Sequence, residues 1–467
     1  MDIAQFAQTI KGDVITPEDP TYPKAIFRWA ANAVRQAKLV VFVKDNGDVV
    51  NALRFARDND LPIAVRGGGH SVVGSSSVEN GLVIDPSRYL NGVTVDPAKK
   101  LAYVGGGAIW ETVDKAAIKH ELATVGGTVN HTGVGGLILG GGYGWLSGAY
   151  GLAIDNLVQA TLVTADGSIL TVNKDENPDL FFAIRGGGGN FGVVTEFVLQ
   201  LHPQRPTIYS GILIYPPSAI EQVLEVTLKW METMSEKEGM IQISAVGPYG
   251  NPIFAVIPFF NGSEAEGRQK YKAFHDIAPL ADLTKEIPYE ELNAISNPMA
   301  VHGSGVYQKG VAHKRPNPEA IVRAHNKFVD LVKSDNFNGA ILYEYFPLQK
   351  INSVSRDATA FRREFASSVL VNLTWDNSTG DRTQEARKHT YELASIISRD
   401  GKDMTTAETL GYSNYDPEAF VDNAKGVTLV QDKAKLVFGE NYPRLQTIKK
   451  RYDPDNVFNK WFPIVPA

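Results

Sequence analysis

A short glycine-rich stretch, Arg66-Gly67-Gly68-Gly69-His70-Ser71, combines residue types suited to holding and bonding an anionic ligand. Because glycine has no side chain, a bulky ligand can approach the backbone of consecutive glycines closely. Glycine also allows positive φ, so neighbouring N–H groups can point toward one anion. His70 follows at once as a nucleophile able to bond to that ligand. The same residues also suit a tight turn with a solvent-facing histidine, and the stretch alone leaves both interpretations open.

A second glycine region spans residues 133–144. Its spacing differs from the dinucleotide fingerprint GxGxxG, which follows a strand, opens a helix and has an acidic residue about 20 positions later. No clean helix is expected after these glycines. Two interpretations remain: a loop that lies along a pyrophosphate and a flavin edge, or a structural glycine-rich hairpin.

A third region, residues 185–195, contains four consecutive glycines closed by Asn190-Phe191-Gly192. Each glycine loses much conformational entropy when it becomes ordered, so a mere linker of this composition would be costly. Close approach of the backbone to a ligand explains the composition better.

The bulk composition sets limits on the class of protein. The chain has 467 residues, 43% of them hydrophobic and 21% charged, which predicts a soluble globular protein of more than one domain. The net charge of −6 without a basic run gives no electrostatic support for nucleic-acid binding. No apolar stretch approaches the ~20 residues of a membrane span, so no membrane partner is expected. The absence of cysteine excludes disulfides and thiolate metal sites, and no His, Asp and Glu spacing suggests a metal site.

The first residues, Met1-Asp2-Ile3-Ala4-Gln5-Phe6, lack a charged region followed by an apolar one. A cytoplasmic location is expected if this N-terminus is native, and secretion is expected if a signal peptide has been removed. The sequence does not predict an oligomeric state.

Periodicity predicts the elements that must position the glycine loops. Residues 39–43 and 61–65 read as strands on either side of a helix at residues 46–59, a β-α-β unit that leads into the first loop. The other elements expected in this half are strands at 81–85, 101–104 and 193–201, a helix at 110–120, and a hairpin at 156–172 with its turn at 165–168.

After Pro203 the composition changes to longer amphipathic and aromatic segments. Helices over an antiparallel sheet fit this pattern, so the predicted fold class is α+β. The expected elements are helices at 218–236 and 318–334, strands at 240–246, 253–260, 339–346 and 369–375, and a tail helix at 442–451.

Taken in order, these segments resemble the berberine-bridge-enzyme-like family of FAD-linked oxidases, within the vanillyl-alcohol oxidase superfamily. The likeness runs over nearly the whole chain and depends on five motifs in the family order. They are residues 66–71 with Gly74, 133–144, 150–152 with Asp155 and Asn156, 185–195, and 441–445 followed by 452–454 and Phe458.

The resemblance implies a two-part FAD-binding domain of the PCMH type, residues 1–204 and 416–467, and a substrate domain, residues 205–415. It implies that His70 bonds covalently to the 8α-methyl group of the flavin. The other cofactor-binding residues that it implies are Arg66, Gly67, Gly68, Gly69, Ser71, Gly74, Val129, Thr132, Gly133, Gly135, Gly136, Gly141, Gly142, Tyr143, Gly144, Asn190, Gly192, Val193, Val194 and Tyr452.

Two residues that precede the second glycine region, Val129 and Thr132, refine what the resemblance implies about the flavin. Family members with two covalent links carry a cysteine where this chain has Val129, so the resemblance implies FAD attached through His70 only. In the family, the doubly linked members have open sites for large substrates, which favours a smaller substrate here. Thr132 matches the position that controls oxygen access; its size is close to that of the valine found in oxidases, which favours an oxidase.

The resemblance also supplies candidate catalytic residues in the substrate domain. Tyr415, in Tyr412-Ser413-Asn414-Tyr415, matches a catalytic base, and Tyr412 would help to shape the site; the alternative is aromatic packing at a domain junction. A phenol with a pKa near 10 is a poor base at neutral pH, so a neighbouring cation or dipole would have to lower the pKa of Tyr415.

One strand, residues 339–346, is expected to present more of the site. The best register places Tyr343 and Tyr345 where relatives have Gln and Asp, with both tyrosines facing the site. Glu344 would then point to the opposite face and have a structural role.

His131 and His302 are further candidates. His131 lies beside the expected flavin loop, and the alternatives are a contact with the flavin edge or a purely structural role. His302 is a candidate for the wall of the substrate cavity.

The predicted function is an FAD-dependent oxidase that takes a hydride from an alcohol or amine carbon at flavin N5 and reduces O2 to H2O2. The expected partners are a small-molecule substrate and O2. The alternatives are a flavin dehydrogenase with another electron acceptor and a flavin-binding protein without turnover. The sequence does not choose a substrate.

Overall fold

The computed structural model describes residues 2–398, 404, 410–418 and 427–467. Within them, three β-sheets of four or more strands and one two-stranded ladder form the framework of the fold. No helix within these ranges is both long enough and apolar enough to cross a bilayer.

The first sheet contains the β-α-β unit that precedes the first glycine loop. Its strands β2 and β3 both run parallel to β4, and the helix Asn46–Asp58 connects β2 to β3, as predicted. The strand order is β1-β2-β4-β3. The strands are β1 (Asp13–Ile15), β2 (Leu39–Phe42), β3 (Ile63–Val65) and β4 (Leu82–Asp85).

The second sheet is antiparallel and has the strand order β5-β6-β10-β8-β9. The predicted hairpin at residues 156–172 is confirmed as β8 and β9. A short ladder of β7 and β11 lies beside this sheet. The strands are β5 (Val93–Asp96), β6 (Leu101–Gly105), β7 (Leu122–Ala123), β8 (Leu157–Val163), β9 (Ile169–Asn173), β10 (Val193–Gln200) and β11 (His202–Pro203).

The third sheet is a large antiparallel sheet with the path β16-β13-β15-β14-β19-β20-β18, and β12 pairs with both β15 and β17. Its strands are β12 (Thr207–Ser210), β13 (Leu213–Tyr215), β14 (Glu238–Val246), β15 (Pro252–Phe260), β16 (Ala281–Asp282), β17 (Lys285–Pro288), β18 (Gly305–His313), β19 (Asn338–Tyr345) and β20 (Ser367–Trp375).

Three helices, Ile220–Met231, Pro318–Asp335 and Thr383–Ser398, cover one face of this sheet and form a hydrophobic core with it. This is the predicted α+β arrangement. The other α-helices are Ile3–Ala7, Tyr22–Ala25, Trp110–Ile118, Val134–Leu139, Ser147–Tyr150, Pro178–Ile184, Glu264–Lys270, Lys272–His275, Gln349–Asn352, Val427–Phe438 and Tyr442–Tyr452.

Strand β19 corrects the predicted register of the site. Tyr343 and Tyr345 are fully buried in the core beneath the covering helices, and Glu344 faces the opposite side. Successive side chains of a strand alternate between faces, so a register shifted by one residue reverses every assignment. The prediction that both tyrosines face the site, with Glu344 behind them, is therefore wrong.

The second glycine region is neither a plain loop nor a hairpin. Residues 134–139 form a short helix within it, and positive φ returns at Gly141 and Gly142, directly after the helix ends. Neither interpretation of the sequence included this helix, whose apolar residues Val134, Leu137 and Ile138 pack into the core.

The C-terminal tail returns to the third glycine region through a buried ion pair. Lys449 and Asp453 are fully buried, with Lys449 Nζ 2.6 Å from Asp453 Oδ2. Lys449 also donates to the carbonyl oxygens of Asn190, at 2.7 Å, and Phe458, at 2.6 Å. The side-chain amide of Asn190 donates to the Trp461 carbonyl at 2.9 Å. These contacts fix the residues that follow the last helix against residues 186–192.

Candidate active site

One cavity of about 340 Å3 collects residues from both ends and the middle of the chain. Its wall includes residues of β3, β10, β18, β19 and β20, the helix Val134–Leu139, and residues 458–461. The residues predicted from the sequence that line it are Gly67, Gly68, Gly69, His70, Ser71, Val129, Thr132, Gly133, Gly135, Gly136, Tyr143, Gly192, Val194, Tyr412 and Tyr415.

Several residues predicted to belong to the site lie outside the described lining of this cavity. Arg66 forms an ion pair with Asp85, with Nη1 and Oδ2 3.0 Å apart. Gly142 N–H donates to the Tyr412 hydroxyl oxygen at 3.1 Å and so helps to place Tyr412. The predicted residues outside the described lining are Arg66, Gly74, Gly141, Gly142, Gly144, Asn190, Val193, Tyr343, Tyr345 and Tyr452.

Tyr452 also lies outside the described cavity lining. It lies on the helix Tyr442–Tyr452, and its hydroxyl donates to Asp179 Oδ1 at 3.1 Å. Its assignment as a cofactor-binding residue stays a prediction.

The first glycine loop has backbone donors that are left unpaired. Within the described part of the chain, none of the N–H groups from Gly67 to Gly74 donates a hydrogen bond to a protein atom. The hydroxyls of Ser75 and Ser76 also line the cavity without a described partner. Unpaired donors at a cavity wall are costly unless a ligand accepts from them, so this segment fits a pyrophosphate-bearing group such as FAD.

The first two glycine regions touch each other through their backbones. A Cβ atom at Gly68 would lie 2.4 Å from the backbone nitrogen of Gly133. No side chain larger than hydrogen fits at this contact, which explains why glycine is needed there. The contact places both loops on the same cavity.

His70 lies between two aromatic neighbours. The Trp29 ring stacks on it with 4.2 Å between centroids and 9° between planes. On another side, His70 Nε2 is 3.1 Å from His131 Nδ1. Burial lowers the pKa of His70 to about 3, and His131 and His302 act in the same direction. His70 is therefore neutral at physiological pH, with one nitrogen lone pair free for nucleophilic attack.

The opposite end of the cavity holds a carboxylate and two phenols. Glu344 Oε1 accepts a hydrogen bond from the Tyr415 hydroxyl at 3.1 Å, and Glu344 Oε2 accepts one from the Tyr143 hydroxyl. The Tyr412 and Tyr415 rings meet edge to face, with centroids 5.0 Å apart. This cluster joins the second glycine region, the large sheet and residues 412–415.

The electrostatics of this cluster differ from the prediction for Tyr415. Burial, followed by the charge of Glu344, raises the pKa of Tyr415 well above its usual value. The expectation that a neighbour lowers this pKa is wrong, because the charged neighbour is a carboxylate. Burial also raises the pKa of Glu344 to about 7, against the opposing hydrogen bonds from Tyr143 and Tyr415. Glu344 is thus the better proton acceptor near neutral pH.

Sequence reasoning missed several site residues. Gln308 and Asn372 are opposite each other on β18 and β20 and line the same cavity as Glu344. The acidic and basic side chains in the described lining, apart from the neutral His70, are Glu344, Asp416 and Lys460. Trp29 was also missed, because it is distant in sequence from every glycine loop and only the fold brings it to His70.

The fold and the site together define a flavoprotein oxidoreductase. A family model described as "FAD binding domain" matches residues 37–173, and one described as "Berberine and berberine like" matches residues 412–463. The chain belongs to the berberine-bridge-enzyme-like family of FAD-linked oxidoreductases.

Known proteins of similar sequence and structure agree with this assignment. FAD-linked oxidoreductase pgmH of Aspergillus terreus is 34% identical, over 100% of this chain and 96% of that protein. (R)-6-hydroxynicotine oxidase of Paenarthrobacter nicotinovorans is 29% identical, over 98% of this chain and 97% of that protein. The crystal structure of 6-hydroxy-D-nicotine oxidase from Arthrobacter nicotinovorans matches with a TM-score of 0.85 and 28% identity, over 98% of both chains. That of berberine bridge enzyme from Eschscholzia californica matches in fold, with a TM-score of 0.82 and 21% identity, over 99% of this chain and 98% of that one.

Proposed function

We propose that this protein is an oxidase that removes a hydride from a carbon bearing an alcohol or amine group on a small molecule and reduces O2 to H2O2. The observation that carries the proposal is the buried Glu344 carboxylate, paired with Tyr415, in the same cavity as the anion-binding loop of residues 67–74. Bound FAD would supply the hydride acceptor, flavin N5. The protein's part is to orient the substrate and to remove a proton.

Glu344 and Tyr415 divide the proton transfer between them. An alcohol must lose its O–H proton as the hydride leaves the carbon, whereas an amine cation must lose an N–H proton beforehand, because the hydride leaves from the neutral amine. Tyr415 accepts that proton at its hydroxyl oxygen and passes its own proton to Glu344 Oε1, which lies 3.1 Å away. No phenolate has to form in advance, so the high pKa of Tyr415 is no obstacle. Tyr143 holds the second oxygen of the same carboxylate.

The polar side chains of the cavity suit a small substrate with a basic nitrogen or a hydroxyl group. Gln308 and Asn372 offer amide donors and acceptors, and Asn372 Oδ1 is buried without a described partner. An amine cation would pair with the Glu344 carboxylate and lose one proton to it by way of Tyr415 before oxidation; the neutral amine then gives up a hydride without a further proton transfer. The similarity to (R)-6-hydroxynicotine oxidase favours testing amines first.

The test is anaerobic mixing of purified protein with candidate amines and alcohols, followed by exposure to air. A substrate should bleach the yellow flavin absorbance, and O2 should restore it within the catalytic turnover time. Bleaching followed by slow reoxidation in air, with fast reoxidation by a quinone, would instead identify a dehydrogenase. Thr132 in the cavity wall favours the oxidase outcome. A flavin that no amine or alcohol bleaches would contradict the proposal.

We further propose that His70 is the single covalent anchor of FAD, since Val129 lines the cavity without a nucleophilic group. Acid precipitation of the protein should leave the flavin in the pellet, because a carbon–nitrogen bond survives denaturation. His70→Ala should release all flavin into the supernatant. Val129→Ala, a matched change in the same wall, should keep the flavin in the pellet. Flavin released by acid from the unaltered protein would overturn the covalent link.

A further inference from the structure

A network of charged side chains surrounds the residues that directly follow Tyr415. Lys433 Nζ lies 2.7 Å from Asp416 Oδ1 and 3.0 Å from Glu418 Oε2. Arg387 donates to Glu418 Oε1 at 2.6 Å. Two cations and two carboxylates therefore meet within three residues of the proposed proton acceptor, and the proposed oxidation gives this charged network no role.

Two helices hold the carboxylates of the charged network. Arg387 lies on the helix Thr383–Ser398, which covers the large sheet. Lys433 lies on the helix Val427–Phe438. Residues 416–418 are therefore attached to two separate elements of the fold.

The ion pair of Lys433 with Asp416 is the more buried part of the network. The Asp416 side chain is 3% exposed and that of Lys433 is 16% exposed, whereas the Arg387 side chain is 48% exposed. Burial acts to raise the pKa of Glu418, but hydrogen bonds, the first of them from Tyr391, lower it to about 2, so Glu418 is charged at neutral pH. Exposed ion pairs contribute little and are screened by salt, so Lys433 is expected to matter more than Arg387.

Asp416 transmits the position of the network to Tyr415 through the backbone. Tyr415 ends the short turn Ser413–Tyr415. Asp416 N–H donates to the Ser413 carbonyl at 3.1 Å, and Asp416 Oδ1 accepts from the Glu418 N–H at 2.9 Å. The same residue thus closes the turn with its backbone and holds the following chain with its carboxylate.

On its other side, Tyr415 packs against β18. A Cβ atom at Gly310 would lie 2.8 Å from Tyr415 Cβ, so the two backbones are already in close contact. The Tyr415 hydroxyl lies 3.1 Å from Glu344 Oε1. A shift of the turn toward the sheet is blocked by this packing, whereas a shift away from it is opposed by the charged network.

We propose that Lys433, assisted by Arg387, is a positioning residue that holds the Tyr415 hydroxyl at hydrogen-bond distance from Glu344. This inference rests on the proposed function, because it assigns the charged network to the proton transfer through Tyr415. Lys433 lies outside the described cavity lining, so it acts on the reaction through Tyr415 and not by touching the substrate.

Loss of Lys433 is expected to displace the turn. Asp416 and Glu418 would no longer share a cation between them, and their like charges would repel each other. A misplacement of about 1 Å at a reacting group can cost about 100-fold in rate, so Lys433→Met should slow flavin reduction about 10- to 100-fold.

The first test is anaerobic stopped-flow reduction of the FAD-loaded protein by the amine or alcohol that bleaches the unaltered protein fastest. Lys433→Met should lower the limiting rate and leave the half-saturating substrate concentration nearly unchanged. Lys433→Arg, which keeps the charge, should restore most of the rate. Arg387→Met should slow the reaction less, and Lys388→Met, an exposed neighbour on the same helix, should react at the normal rate.

A cycle of single and double variants separates positioning from a general loss of structure. Tyr415→Phe removes the hydroxyl through which Lys433 is proposed to act. In the Tyr415→Phe background, Lys433→Met should therefore cause almost no further loss, because residues that act as a unit are not additive. A general structural defect would slow both backgrounds equally.

Amide hydrogen exchange tests the same contacts without a substrate. In the FAD-loaded protein, Lys433→Met should accelerate exchange at the amides of Tyr415, Asp416 and Glu418, because local opening of this segment becomes easier. Lys388→Met should leave the exchange at these amides unchanged.

The failures of this inference and of the proposed function are distinguishable. If Tyr415→Phe reduces its flavin at the normal rate, the role of Tyr415 and this inference both fail. If Tyr415→Phe is slow but Lys433→Met is not, or if Lys433→Met slows both backgrounds equally, the role of Tyr415 stands and that of Lys433 is overturned. If no amine or alcohol reduces the flavin, the proposed function fails, and unchanged hydrogen exchange in Lys433→Met would overturn the positioning role by itself. Should Lys433→Met not fold, Arg387→Met takes its place in the same cycle, and equal losses in both backgrounds would overturn the inference.

Discussion

Replacement of Glu344 by glutamine is expected to lower the rate of flavin reduction by substrate about 100-fold or more. Glutamine has nearly the same shape as glutamate, so it retains the packing against Tyr143 and Tyr415, but it cannot accept a proton near neutral pH. General acid–base catalysis contributes about 10²–10⁴-fold to enzyme rates, which sets the expected size of the loss. Anaerobic stopped-flow bleaching of the flavin measures this step without interference from reoxidation.

The control for this prediction is the neighbouring residue of the same strand. Tyr345→Phe removes a buried hydroxyl that has no described hydrogen-bond partner and that faces the covering helices. It should leave flavin reduction unchanged and should not lower stability, because an unpaired buried hydroxyl gives no stabilising contact. Equal losses in Glu344→Gln and Tyr345→Phe would contradict the face assignment of β19.

The rate of flavin reduction by substrate should depend on pH through the protonation of Glu344. Burial raises the pKa of Glu344 to about 7, so the proton-accepting form becomes populated as the pH rises through that value. Flavin reduction by substrate should therefore accelerate with increasing pH around 7 and decline as the carboxylate is protonated below it. Glu344→Gln should show no such inflection.

Replacement of Lys449 by methionine is expected to lower the free energy of unfolding by about 3–5 kcal/mol, the usual effect of removing one partner of a buried ion pair. The variant leaves Asp453 charged and buried, and the carbonyls of Asn190 and Phe458 lose their donor. Because residues 458–461 line the cavity, FAD content should fall as well. Denaturant unfolding followed by circular dichroism, together with flavin absorbance, measures both effects.

Lys450→Met is the matched control, since Lys450 is the next residue on the same helix and its side chain is exposed. Its free energy of unfolding should stay within about 0.5 kcal/mol of the unaltered protein, as for most surface substitutions. A loss below 1 kcal/mol in Lys449→Met would show that the tail is held by other contacts.

The glycine loops and the β-α-β unit were predictable because their signals are local. Residues 39–65 have clear strand and helix periods, and Gly67 to Gly69 mark the loop that follows. The hairpin of β8 and β9 was predictable for the same reason. By contrast, β18 was not predicted, because Gln308 and Lys309 interrupt its apolar pattern.

The catalytic face of β19 was not predictable from the strand itself. Residues 342–346 are buried or nearly so on both faces, so no alternation of polar and apolar residues shows which side meets the cavity. The face that meets the cavity is decided by tertiary structure: β19 pairs with β14 and β20, and the helices cover the other face of the sheet. The contacts of His70 with Trp29 and His131 likewise depend on tertiary structure, since each partner comes from another segment.

The shared wall of the cavity has a consequence for biosynthesis. Residues 63–76 leave the ribosome well before residues 458–461, which line the same cavity. Domains fold largely as they emerge, N-terminal part first. The cavity therefore cannot be complete until residues 458–461 have emerged, so the complete flavin site forms late in synthesis and the glycine loops stay open until then.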